Sequence, residues 1–220
     1  MIDFRARLTD TDEARLLILP VTLRKKSDDD ESPVLEGYAA RFDDWTQIGG
    51  DCWGFMESIA PGAFARSLEE DDVLSFFNHD SNLVLGRKSA KTATFEEDKK
   101  GLRTVIYPPD TAAGRDVVTN VKLRNVTGMS FMFQTRKDEW TEPAKKGELP
   151  KRRLLDVRLF EAGPVTFPAY EATSISARDR AKAFLDARAD LDRLTDPDVL
   201  ARRREADRLA FELSVAAVEI

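Results

Sequence analysis

The stretch Asn125-Val126-Thr127-Gly128-Met129-Ser130-Phe131-Met132-Phe133 reads as a turn feeding a short strand. Gly128 can adopt backbone angles closed to other residues, so a sharp bend is expected there. Beyond it, Met129, Phe131 and Phe133 alternate with Ser130, Met132 and Gln134. A period of two sends these sets to opposite faces of a sheet. Both sets are largely apolar, so the strand is expected to be covered on both sides. A hydroxyl in such a strand is either a small core filler bonded to a neighbour or a nucleophile facing a cleft. Taken alone, Ser130 reads as the filler.

Working outward, Pro108-Pro109-Asp110-Thr111 stops a strand and starts a helix to about Arg124. Asp110 or Thr111 is its N-cap, and Val117, Val118, Val121 and Leu123 form its buried side. Thr92–Glu96 and Leu102–Tyr107 read as a hairpin around Glu97-Asp98-Lys99-Lys100-Gly101. Val73–Asn78 is a strand ending in the polar turn His79-Asp80-Ser81-Asn82, and Leu83–Arg87 resumes extended structure. Ile59-Ala60-Pro61-Gly62 ends another strand and leads into a short helix. Further upstream, Val34–Phe42 and Leu16–Leu23 read as strands, with a bulge expected at Gly37, and Met1–Glu13 as a loose polar end. Downstream, Trp140–Lys151 is a charged surface loop. Leu154–Phe167 is apolar and β-prone, with a break expected at Gly163-Pro164.

From Ser176 the composition turns to Ala, Arg, Asp and Leu. Phe184, Ala187, Leu191 and Leu194 share one helical face, and Thr195-Asp196-Pro197-Asp198 caps a second helix. The expected organisation is therefore an N-terminal segment over 1–33, with one strand and a charged loop, a core over 34–177 and a helical tail over 178–220. The expected class is α+β.

The 220 residues, 42% hydrophobic and 34% charged, suffice for one sizeable core with appendages. A formal net charge of -6 from mixed signs argues against nucleic acid as the partner. The single Cys, Cys52, rules out an intramolecular disulfide, and with the single His, His79, it excludes a zinc site of the usual kind. No loop has the carboxylate spacing of a magnesium or calcium site, so neither metal nor cofactor is expected. Cys52 reads as a structural thiol. Leu16-Leu17-Ile18-Leu19-Pro20 is too short for a signal peptide or membrane span, so a soluble, reducing compartment is expected.

A serine nucleophile needs a base to take its proton and a third group to orient that base. With one histidine, that base must be His79, whose bland alternative is a turn histidine on the surface. Glu161 interrupts the apolar run Leu154-Leu155-Asp156-Val157-Arg158-Leu159-Phe160-Glu161-Ala162, and a carboxylate there needs a partner. That partner is either an arginine, Arg158 or Arg87, or the far ring nitrogen of His79. Asp156 is the second choice for the third group.

Phe77-Asn78-His79-Asp80 with Val84-Leu85-Gly86-Arg87 resembles the HK97-type prohead proteases of tailed phages. So do Gly128-Met129-Ser130-Phe131-Met132-Phe133, Glu161-Ala162-Gly163-Pro164-Val165-Thr166-Phe167-Pro168-Ala169-Tyr170 and Ile59-Ala60-Pro61-Gly62-Ala63-Phe64. The resemblance runs from about Val34 to Ala177. It implies a serine endopeptidase related to the herpesvirus assemblins, with a β-barrel-like core of about seven strands surrounded by helices. It places the nucleophile on Ser130, the base on His79 and, since a second histidine is absent, the third member on Glu161. Oxyanion donors would be backbone amides near Gly128 or Gly163, or Arg87.

The implied substrates are the scaffolding segment of the major capsid protein and the protease itself, cleaved inside the immature capsid in the host cytoplasm. Self-association and contact with the portal protein are further expectations; nucleic acid and membrane are not expected partners. A non-catalytic capsid-assembly or scaffolding factor, suggested by the charged tail, is the competing reading. A general esterase fits less well, because Ser130 lacks a G-x-S-x-G elbow.

Overall fold

The computed structural model describes residues 12–17, 20–27, 32–49, 54–143, 145 and 147–166. In chain order its elements begin with β1 (Asp12–Leu17), β2 (Thr22–Lys25), β3 (Pro33–Arg41), β4 (Thr46–Ile48), β5 (Phe55–Ile59) and α1 (Ala65–Glu70). They continue with β6 (Leu74–Phe77), β7 (Asp80–Arg87), β8 (Ala93–Glu97), β9 (Gly101–Ile106), α2 (Ala112–Lys122), β10 (Gly128–Thr141) and β11 (Lys151–Val165). The fold of these residues is predominantly β. The strands form one seven-stranded sheet, running β1-β10-β11-β5-β4 with β6 and β7 attached through β11, and one four-stranded sheet, β2-β3-β9-β8. The expected helices over 178–220, and Cys52, lie outside the described residues.

Alternation of apolar side chains makes β10 the spine. Residues 128 to 133 are all buried, so both of its faces are covered. Phe131 and Phe133 stack with ring centroids 5.2 Å apart, and Phe64 meets Phe131 edge-on at 5.6 Å. Leu35, Leu102 and Ile106 of the smaller sheet join these rings in one core, with Val117 and Val121 of α2. Each such side chain contributes roughly 1.5–3 kcal/mol through burial. Thr111 caps α2 by accepting from the Gly114 amide at 3.2 Å, one of the two caps expected.

Five expectations need correction. Leu123, expected on the buried side of α2, is 65% exposed. Gly128 is no sharp bend but the first residue of β10, paired with Val165. Leu16–Leu23 is two strands in different sheets, β1 and β2, separated at Pro20, which has no amide hydrogen for a ladder. The irregularity in β3 lies between Tyr38 and Ala40, not at Gly37, which is needed for close approach instead. A Cβ on Gly37 would sit 2.8 Å from the Pro20 carbonyl oxygen. Finally, Gly163-Pro164 does not break β11. Ser130 faces Gly163 and Met129 faces Pro164 in an unbroken ladder. Gly163 is required because β6 runs close alongside; a Cβ there would come within 2.1 Å of the Phe76 carbonyl oxygen.

A buried charge cluster fastens β1 to this sheet. Glu13 accepts from Arg152 at 2.7 and 2.9 Å, from Thr135 at 2.7 Å and from Arg15 at 2.6 Å. Glu57 accepts from Arg15 at 2.5 and 2.8 Å and from Arg152 at 3.0 Å. Arg152 also donates to Asp138 at 2.7 Å, and its guanidinium lies over Phe55 and Trp140. Arg15 stacks on Phe133. The forked guanidinium suits such work, because it serves two carboxylates at once.

Candidate active site

The ladder sets up the site before any side chain is considered. Ser130 lies opposite Gly163, and Met132 opposite Glu161. These four residues therefore share one face of the β10–β11 pair, with Ser130 and Glu161 as diagonal neighbours. A register shift between Met132 and Phe133 follows at once, so that Phe160 is the extra residue of a bulge beside Glu161. β6 runs parallel to β11 with Leu74 opposite Glu161, and its hairpin with β7 turns at Asn78 and His79. That two-residue turn holds Asn78 at φ 53° and His79 at φ 59°. Asn accepts this left-handed backbone readily; a histidine there carries some strain.

Asn78 secures the turn. Its amide donates to the Pro164 carbonyl at 3.1 Å, its side chain donates to Thr166 Oγ1 at 3.0 Å, and the Thr166 amide donates back to Asn78 Oδ1 at 2.8 Å. Asn78, directly before the single histidine, was the signal in the sequence that could have pointed to this clamp.

The imidazole so placed spans serine and carboxylate. His79 Nε2 lies 2.8 Å from Ser130 Oγ, and His79 Nδ1 is in short hydrogen-bond contact with Glu161 Oε1. Ser130 and Glu161 are 0% exposed, whereas the His79 side chain is 28% exposed. In the neutral ring, Nδ1–H donates to Glu161 and Nε2 is left to accept the serine proton. Glu161 Oε2 is buried without a hydrogen-bond partner among the described residues. Burial by itself pulls the His79 pKa down. The hydrogen bond and charge of Glu161 outweigh it, holding His79 above the ordinary histidine value.

The other sequence candidates lie elsewhere. Asp156 faces Arg136 at 3.7 Å and Arg66 at 3.8 Å, not His79. Arg87 pairs with Asp72 at 2.6 Å and Arg158 with Asp71 at 3.1 Å, so neither arginine is the partner of Glu161. The register that aligns Ser130 with Gly163 explains the choice, since it sets Glu161 beside the serine and Asp156 several residues along β11. Among the described residues no cluster of His, Cys, Asp or Glu could hold a metal ion, and no helix is long and apolar enough to cross a membrane.

The model of the caudovirus prohead serine protease family matches residues 20–186 of this chain. The chain belongs to that family. This prohead protease is accordingly a serine protease of phage capsid maturation. Its structure is similar to a solved one described as the bacteriophage T4 capsid assembly protease, gp21. The TM-score is 0.40 at 9% sequence identity, over 70% of this chain and 99% of that chain. No curated protein sequence matches the chain.

Proposed function

We propose that this prohead protease hydrolyses peptide bonds by acyl transfer through Ser130, His79 and Glu161. The observation that carries the reading is His79 bridging a fully buried serine and a fully buried carboxylate. Ser130 Oγ attacks the scissile carbonyl carbon while His79 Nε2 takes its proton. His79 then returns that proton to the departing amine as the C–N bond breaks. Water attacks the acyl ester, again giving up a proton to His79, which restores the Ser130 hydroxyl. Glu161 keeps Nδ1 protonated and stabilises the imidazolium formed in both steps. On this reading the two sheets correspond to the barrel of the assemblin-like fold.

The proposed substrates are the scaffolding segment of the major capsid protein and the protease itself, cleaved inside the prohead within the host cytoplasm. Self-association and proximity to the portal protein belong to the same reading. The test is coexpression with the cognate major capsid protein, with the cleaved termini read by mass spectrometry. Ser130→Ala and His79→Ala are each expected to abolish cleavage, a loss of about 10⁴-fold or more, with circular dichroism unchanged. Full cleavage by either variant sinks the reading.

A further inference from the structure

The Ser130 hydroxyl has one proton and two acceptors. Besides His79 Nε2, the carbonyl oxygen of Arg15 lies 2.9 Å from Oγ. Arg15 belongs to β1, which pairs antiparallel with β10 so that Leu16 stands opposite Ser130 and Arg15 opposite Phe131. An extended peptide attacked by Ser130 must bring its own carbonyl to this hydroxyl. β1 has taken that place, and Ser130 has no exposed surface. β1 also terminates the strand order, with β10 as its neighbour, which is the position an added peptide strand adopts at a sheet edge.

Resting on the reading of Ser130 as nucleophile, we propose that β1 stands where the scissile strand of a substrate binds. Glu57 and Arg152 then select a strand carrying an acidic residue two positions before a basic residue at the scissile bond. Arg15, whose carbonyl faces Ser130, corresponds to the residue that supplies the attacked carbonyl. Its guanidinium is held by Glu57 through two hydrogen bonds. Glu13, two residues earlier and therefore on the same face, is held by both Arg152 nitrogens.

The receptor half of this arrangement survives without β1. Arg152 and Glu57 pair with each other at 3.0 Å, and Asp138 stays on Arg152 Nε. Departure of Glu13 together with Arg15 removes one charge of each sign, so the net charge of the pocket does not change. What remains is a dipolar site, carboxylate toward the scissile bond and guanidinium away from it. A strand with the charges exchanged would set like charges against each other in a buried place.

The test measures binding, so that it does not depend on turnover. The full chain carries Glu13→Gln and Arg15→Gln to loosen β1, and Ser130→Ala to prevent cleavage. Fluorescein-labelled decapeptides centred on Glu-Ala-Arg-Leu, Arg-Ala-Glu-Leu and Gln-Ala-Gln-Leu are titrated by anisotropy. The first is expected to bind at least about tenfold tighter than the second, and Glu57→Gln to narrow that ratio to about threefold or less. Equal or reversed affinities, in a chain whose circular dichroism matches wild type, overturn the proposal. Should the loosened chain fail to fold, Ser130→Ala alone is followed by hydrogen exchange of β10 amides under excess peptide. The same order of peptides is expected there, and no order overturns the proposal. Flat affinities would leave Ser130-dependent cleavage intact, whereas cleavage independent of Ser130 would sink the proposed function and leave the binding order standing.

Discussion

Glu13 and Glu161 are both fully buried, and they lie on opposite faces of β10, opposite Phe133 and Met132 respectively. Glu13 has both oxygens occupied, by two arginines and a threonine. Burial alone would raise its pKa, yet the Arg152 and Arg15 guanidinium groups and Thr135 hold it down at about 2. Glu161 has one oxygen on His79 and the other without a partner among the described residues. A carboxylate surrounded by permanent cations fixes a structure and stays charged at any working pH. A carboxylate whose balancing charge is a titrating ring passes the state of that ring on to the serine. The number and kind of partners, more than burial, separates a clasp from a chemical site.

The sharpest way to break this contrast is Glu161→Gln. Without the carboxylate the Nδ1–H tautomer loses its anchor, and kcat should fall by about 10³–10⁴-fold. The ascending limb of the pH–rate profile should also move. On the proposed mechanism His79 acts as a base only when neutral, so activity rises with pH through its pKa, which Glu161 raises. With Glu161 gone, burial alone remains and pulls that pKa down, so the limb should shift to lower pH. An unmoved limb would show that the ring does not take its charge balance from Glu161.

The clasp should instead appear in stability. A group with a depressed folded-state pKa stabilises above its unfolded value, and that contribution is lost as pH falls through the folded one. For Glu13 the window runs from 4.5 down to about 2, with on the order of 3 kcal/mol lost across it. Urea melts over a pH series should show that loss, and Glu13→Gln should be less stable at neutral pH and much flatter below 4.5. Parallel curves for the two proteins would contradict the assignment.

The smallest effect concerns the turn. Asn78→Ala removes two side-chain hydrogen bonds and a residue tolerant of positive φ. A fall in kcat/KM of about tenfold is expected, with little change in Tm. Tm falling as steeply as activity would make Asn78 a general stabiliser of the fold.

How much of this was legible in the sequence depended on how far each determinant reached. The alternation from Met129 to Phe133 was read correctly as a strand covered on both faces, because the pattern is local. The hairpin around Glu97-Asp98-Lys99-Lys100-Gly101 and the capped helix from Thr111 were legible for the same reason. β1 was not. Asp12 and Glu13 looked like a loose polar end, and what makes a strand of them is Arg152, 139 residues beyond Glu13. Gly163-Pro164 was read as a break because its composition says turn, whereas the close passage of β6 is what calls for the glycine. The choice between Glu161 and Asp156 as neighbour of His79 was likewise a matter of register, visible only once Gly163 is seen opposite Ser130.

The same spacing sets when the site can exist. Ser130 meets His79 across 51 residues, and His79 meets Glu161 across 82. Neither contact belongs to a local hairpin, so both wait for long-range pairing, the slow part of building a sheet. A chain emerging from the ribosome presents the histidine early, the serine later and the carboxylate last. Until β11 is made and paired, His79 has no Glu161 beside it. On the proposed assignment, Ser130, His79 and Glu161 come together only once β11 has paired with β10 and β6.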